Sequence, residues 1–155
     1  MLLWQTPIVD RTQADIDRVN TLKGIPWEKM TLDQRREWTN GLKGCLNEQD
    51  FDRIEGNIHI LSDVLELGLV TYEGNIPYIP NMAYWANLLS NVEKVREAYS
   101  VHSDTPKVPE MPINIFEKVN NIEKILLDVY EIIMTNFYYL SVDDFKMGEE
   151  VGLVL

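Results

Sequence analysis

From Ile115 to Phe137 the chain reads IFEKVNNIEKILLDVYEIIMTNF. Read in sevens with Ile122 at position a, this stretch places Ile115, Ile122 and Val129 at a and Lys118, Ile125 and Ile132 at d, with Val119, Leu126 and Ile133 at e. That spacing predicts a helix with a broad apolar face. Full burial of one such side chain stabilises by about 1.5–3 kcal/mol, so the helix must lie against others.

The rest of the chain supplies them. Thr12 is placed to cap a helix over Gln13 to Lys23, with Asp15 and Asp17 in its first turn, Gly24 at its end and a thin apolar face of Ile16, Val19 and Leu22. Thr31 and Gln34 form a capping-box pattern that opens a helix from Leu32 to about Leu42, and Trp27, Met30 and Trp38 are expected to fasten it down. Asn47 and Asp50 open a further helix, in which Phe51, Ile54, Ile58, Leu61 and Leu65 recur at threes and fours before Gly68. Asn81 caps another, running to about Tyr99, with Trp85, Leu88, Val92, Val95 and Tyr99 as its stripe.

Between and around these elements the pattern breaks down. The segment from Leu69 to Pro80 holds a Gly-Asn turn between β-prone runs, and its two prolines limit it to an edge hairpin or an extended connector. Ser100 to Pro112, with three prolines, reads as a linker. From Tyr138 the period changes, and Tyr138 to Val142 and Val151 to Leu155 read as strand-like. Residues 1–11 hold Leu2, Leu3, Trp4, Ile8 and Val9 around Pro7, an extended apolar arm expected to dock on something. The fold expected is mainly α: a helical bundle of three long helices plus an N-terminal helical hairpin, with a short β-like C-terminal element. Its organisation is an arm (1–11), a helical domain (12–137) and a strand-like tail (138–155).

A chain of 155 residues is the size of one domain and can bury a sizeable core. Lys plus Arg number 14 against 25 for Asp plus Glu, a net charge of −11, which disfavours nucleic acid as a partner. The single cysteine, Cys45, excludes an internal disulfide framework and fits a reducing compartment or a particle surface that does without disulfides. MLLWQTPIV lacks the basic region and apolar length of a signal peptide, and the charge-free run Ile132 to Val142 is far short of the roughly 20 residues a membrane span needs.

Three helices share a pentad. Asn91-Val92-Glu93-Lys94-Val95 and Asn121-Ile122-Glu123-Lys124-Ile125 match closely, and Gly56-Asn57-Ile58-His59-Ile60 shares the asparagine before the apolar residue. Asn57, Asn91 and Asn121 thus hold equivalent positions, where they either hydrogen-bond between helices and set register or lie in water. For chemistry the candidates are few. Cys45 reads as a small packed residue, and His102 lies in a polar linker. His59 has Asp63 one turn on and no second His or Cys ligand near it in sequence. The pairs Asp143-Asp144 and Glu149-Glu150 lack the alternating ligand loop of an EF-hand. These features argue against an enzyme, a metal and a cofactor. Tyrosines near connectors, Tyr72, Tyr78 and Tyr84 foremost, either line a ligand-contact patch or are half-buried with their hydroxyls in water.

The runs Pro7 to Val19, Gly41 to Asn47 and Phe51 to Ile58, with Phe116 to Tyr130 and Gly148 to Leu153, resemble segments of uncharacterised structural proteins of phages and prophages of Firmicutes. The resemblance implies a virion component of the tail or baseplate type, assembled in the bacterial cytoplasm, with other virion proteins as partners and a homo-oligomer as its form. Apolar Leu2, Leu3 and Trp4 at one end and Val151, Leu153 and Leu155 at the other are then the candidate assembly contacts. The alternative is a host-surface module that binds glycan or protein through the tyrosines.

Overall fold

The structure, a computed structural model, describes the backbone of residues 3–70, 72 and 80–154, and side chains among these as far as residue 136. Among the described residues the chain is helical, without strands: α1 (Gln13–Lys23), a 3-10 turn (Trp27–Lys29), α2 (Leu32–Asn40), α3 (Glu48–Val64), α4 (Met82–Ala98) and α5 (Phe116–Val154).

Local chemistry sets where the helices begin. At α2 the Thr31 hydroxyl accepts the Gln34 amide proton at 3.2 Å, and the Gln34 side chain accepts from Thr31 N–H at 2.9 Å. At α3, Asn47 and Asp50 make the same reciprocal pair at 3.2 and 3.0 Å. The Asn81 side chain accepts from Tyr84 N–H at 2.9 Å to open α4. Each cap satisfies an amide that the first turn would leave unbonded, a contribution of about 1 kcal/mol.

Helices α3, α4 and α5 pack on one another around one core. Ile54, Ile58 and Leu61 enter it from α3, Leu88, Val92 and Val95 from α4, and Val119, Ile122, Ile125, Leu126 and Val129 from α5. The buried face of α5 is therefore centred between positions a, d and e, with Ile115 exposed ahead of the helix. The proline-containing segment after α4 lies along the same core through Val101, Val108 and Ile113. Buried Thr105 fixes it, donating to Asp128 at 2.7 Å, and Arg96 donates to the Pro106 carbonyl at 2.7 Å.

A second, smaller core of Leu22, Met30 and Leu42 holds α1 and α2 together with the turn between them. Its spacing is close: a Cβ on Gly44 would come within 2.3 Å of the Asp15 carbonyl oxygen. Two sequence expectations are corrected at this lobe. Trp27 and Trp38 do not fasten it from within, since 47% and 40% of their surface stays exposed. Two helices of 11 and nine residues enclose too little volume for two indoles beside Leu22, Met30 and Leu42. Cys45, expected to pack, is exposed.

The third correction concerns 138–155. In place of a strand-like tail, the backbone continues as α5 through Val154. The tyrosine- and valine-rich run has strand propensity, but no Gly or Pro interrupts Phe116 to Met147, and a helix already nucleated by packing adds residues cheaply. Most of the connector over 69–80, including its Gly-Asn turn, lies outside the described residues.

Gly56, in the middle of α3, has nothing within 4 Å of the position a Cβ would take. Gly56→Ala is therefore expected to stabilise the chain by about 0.5–1 kcal/mol, read as a higher denaturant midpoint at unchanged slope.

Candidate functional site

The most heavily built polar site lies where the N-terminal arm crosses α3 and α5. The arm begins with Trp4 stacked on Tyr130 of α5, ring centroids 3.9 Å apart and planes at 6°. Pro7 is buried, and Ile8 N–H donates to Glu123 at 2.7 Å. Arg11 then turns inward, 4% exposed, to join Asp50, Arg53 and Glu123, all of them buried.

These four side chains form a closed set of two cations and two anions. The Glu123 carboxylate accepts from Arg11 at 2.9 Å and from Arg53 at 2.8 and 2.9 Å. Asp50 accepts from Arg53 at 2.7 Å and Arg11 at 3.2 Å while its other oxygen serves the α3 cap. Arg11 also donates to the Ile8 carbonyl at 2.8 Å. Burial works against the charge on Arg53, but the hydrogen bonds to Glu123 and Asp50 outweigh it and hold its pKa above the ordinary value. Arg11 Nε is the one buried side-chain nitrogen or oxygen without a hydrogen-bond partner among the described residues. Desolvation makes such a set costly to assemble and costlier to break, so its effect is to specify where the arm lies.

Asparagines hold the backbone on either side of this cluster. Asn57 on α3 accepts from Gln5 N–H at 3.0 Å and donates to the Gln5 carbonyl at 2.7 Å. Asn120 on α5 makes the same pair with Arg11 at 3.2 and 2.9 Å. Asn91 on α4 does so with Val70, at 2.7 and 2.9 Å. A side-chain amide offers one donor and one acceptor side by side, as a neighbouring strand would, so it satisfies both polar groups of one extended residue.

The other candidate positions fall as follows. Asn57 and Asn91 are buried, but they hold extended chain instead of joining helix to helix. At the third repeat it is Asn120, not half-buried Asn121, that makes the clamp. Trp4 is used within its own chain and Leu3 is 69% exposed. Leu2 and Leu155 lie outside the described residues, as do the side chains of Val151 and Leu153.

Tyr84 is 1% exposed, its ring edge-on to Phe51 and Tyr72, and its hydroxyl donates to Glu55, so it belongs to the core and not to a contact surface. Tyr72 is half-buried against it, and Tyr78 lies outside the described residues. His59 and His102 are exposed. Among the described residues no three His, Cys, Asp or Glu side chains are grouped to hold a metal ion, and no helix is long and apolar enough to cross a membrane.

The helical period alone did not reveal the cluster. Glu123 sits one step off the apolar stripe of α5 and is enclosed by segments distant in sequence, Arg53 of α3 and the arm, the latter more than 100 residues away. The signal the sequence offers is the Asp50-Arg53 pair at a spacing of three, one residue to the N-terminal side of Phe51 and of Ile54 and so beside the apolar stripe of α3.

Tyr84 gives a pH dependence. Burial first, then the Glu55 carboxylate beside it, raises its pKa well above the ordinary 10.0. With the folded value above the unfolded one, the contribution is full below pH 10.0 and is lost as pH rises beyond it. Tyr84→Phe is expected to remove that component, so that above this pH the native chain loses stability with a steeper slope than the variant in denaturant titrations.

Comparison with known proteins leaves the chain on its own: no family model matches it, and no curated protein and no solved structure does.

Proposed function

We propose that this chain is a non-enzymatic structural protein of a phage or prophage virion, of the tail or baseplate type, that works through assembly contacts. In this reading α3, α4 and α5 form a bundle, α1 and α2 a hairpin beside it, and the arm a clasp across both. The observation that carries the reading is the length of α5. At 1.5 Å per residue its 39 residues span about 58 Å, whereas α3 and α4, of 17 residues each, span about 25 Å. Neither neighbour is long enough to flank more than half of it, and among the residues whose side chains are described the last one in its core is Ile133. A helix of this length beyond its own core finds its partners in other chains, copies of itself and other virion proteins, after synthesis in the bacterial cytoplasm. The buried ionic and amide groups support the same reading, because each is spent on holding chain segments in place.

Light scattering on a sizing column tests it. The full chain is expected to form a defined oligomer or a growing series, and a chain ending at Asn136 to run as a monomer with its helix signal retained in proportion. The protein is also expected among the components of purified particles. A monomer for the full chain at every concentration, or its absence from particles, overturns the proposal.

A further inference from the structure

The N-terminal lobe, residues 12–44, differs from the remainder of the chain in charge and in what it exposes. Residues 12–44 hold six of the 14 basic residues and five of the 25 acidic ones, leaving eight and twenty, a net −12, to the remainder of the chain. On the lobe's surface Trp27, Leu32 and Trp38 are 47%, 64% and 40% exposed. They form one patch. Leu32, Arg35 and Trp38 follow one another at steps of three along α2, which places them side by side. The Arg35 guanidinium lies 5.3 Å from the Trp27 ring centroid, held there by its bonds to the Trp27 and Glu28 carbonyls at 3.1 and 3.2 Å.

Around the patch Arg36 pairs with Asp33 at 3.8 Å and Glu37 with Arg18 at 2.6 Å, which leaves Lys29 and Arg35 against Glu28. An exposed surface of indoles and guanidinium is suited to a partner both apolar and acidic.

We propose that this patch is the socket for the C-terminal half of α5, residues 137–154, from a second copy. This rests on the assembly reading above and names the contact. The segment has the matching chemistry, with Phe137, Leu140, Val142 and Phe145 among its apolar residues and Asp143, Asp144, Glu149 and Glu150 against Lys146, a net −3. Geometry favours a neighbour over the same chain. Arg11, just ahead of the lobe, is tied to Asn120 near the start of α5. Phe137 is 17 residues further along that helix, about 25 Å, and the segment beyond it leads away from the lobe's anchor. A contact between two different surfaces is heterologous, so it extends head to tail into a ring or an open chain.

Two altered chains test the contact by mixing. One carries Trp27→Ala and Trp38→Ala and keeps the tail; the other ends at Asn136 and keeps the socket. Each alone is expected to be a monomer in light scattering, and a 1:1 mixture to give a complex of one of each, weakened as salt rises. Circular dichroism of each chain checks that its helices are intact.

Failure of the mixture to form a complex overturns the inference. So does a tryptophan double variant that associates as the native chain does; if the chain ending at Asn136 is then monomeric, assembly through α5 stands and only the socket is wrong. A native chain that stays monomeric overturns both.

Discussion

Glu123→Ala is expected to lower the stability of the chain by about 3–5 kcal/mol, the range for removing one partner from a buried ion pair. Glu123 accepts four hydrogen bonds, one from Arg11, two from Arg53 and one from the Ile8 amide. Without it two buried guanidinium groups share a single Asp50 oxygen, and Ile8 N–H loses its partner. The loss in melting temperature should be roughly 6–20 °C for a chain of this size. Glu123→Gln, which keeps the shape and one acceptor oxygen, should fall between the native chain and the alanine variant. Denaturant titration of the three proteins measures this directly. A loss under about 1 kcal/mol would mean that water reaches the cluster and that the arm does not seal it.

The parts of this fold legible in the sequence are those set by residues within one turn of each other. The first helix was expected over Gln13 to Lys23 and occupies those residues, and the Thr31-Gln34 box, the Asn47 cap and the Asn81 cap each stand where their spacing placed them. A cap is decided by three or four neighbouring residues, so it survives whatever the rest of the chain does. What could not be read depends on segments distant in sequence. Glu123 is polar by pattern and buried between the arm and Arg53 of α3. Tyr84 looked like a connector tyrosine and is held in the core by Phe51 and Glu55, which lie one helix earlier. The extent of α5 departs from the sequence expectation for the opposite reason: the run after Tyr138 has local strand propensity, yet no helix breaker stands between Phe116 and Gly148. The repeated asparagines fall between these cases. Their spacing singled out the right turns of α3, α4 and α5, but whether position 120 or 121 faces the arm depends on where the arm lies.

That last point leads to the second large effect, Asn57→Ala, for which the expected loss is about 1–3 kcal/mol. The side chain is 1% exposed and is bonded to both polar groups of Gln5, so alanine removes two hydrogen bonds and leaves a part-buried N–H and C=O to find water. Asn120→Ala should act similarly at Arg11, and because that residue also feeds the ionic cluster its loss should exceed the sum of independent effects when combined with Glu123→Ala or fall short of it, but not simply add. Asn121→Ala, one residue along the same helix, should stay within about 0.5 kcal/mol of the native chain. The three single variants together separate a clamp on the arm from a general need for asparagine near the seam. Equal losses at 120 and 121, or no loss at 57, would show that the backbone of the arm is held by something other than these amides. If the losses fall as expected, the arm is fastened by its peptide groups at both ends and by charge between them. Among the described residues, an attachment made largely to backbone draws on the arm's side chains at Trp4, Pro7 and Arg11 and at Asp10, whose carboxylate pairs with Lys43 at 2.8 Å. Substitutions at Gln5, Thr6 or Val9 should therefore leave it in place.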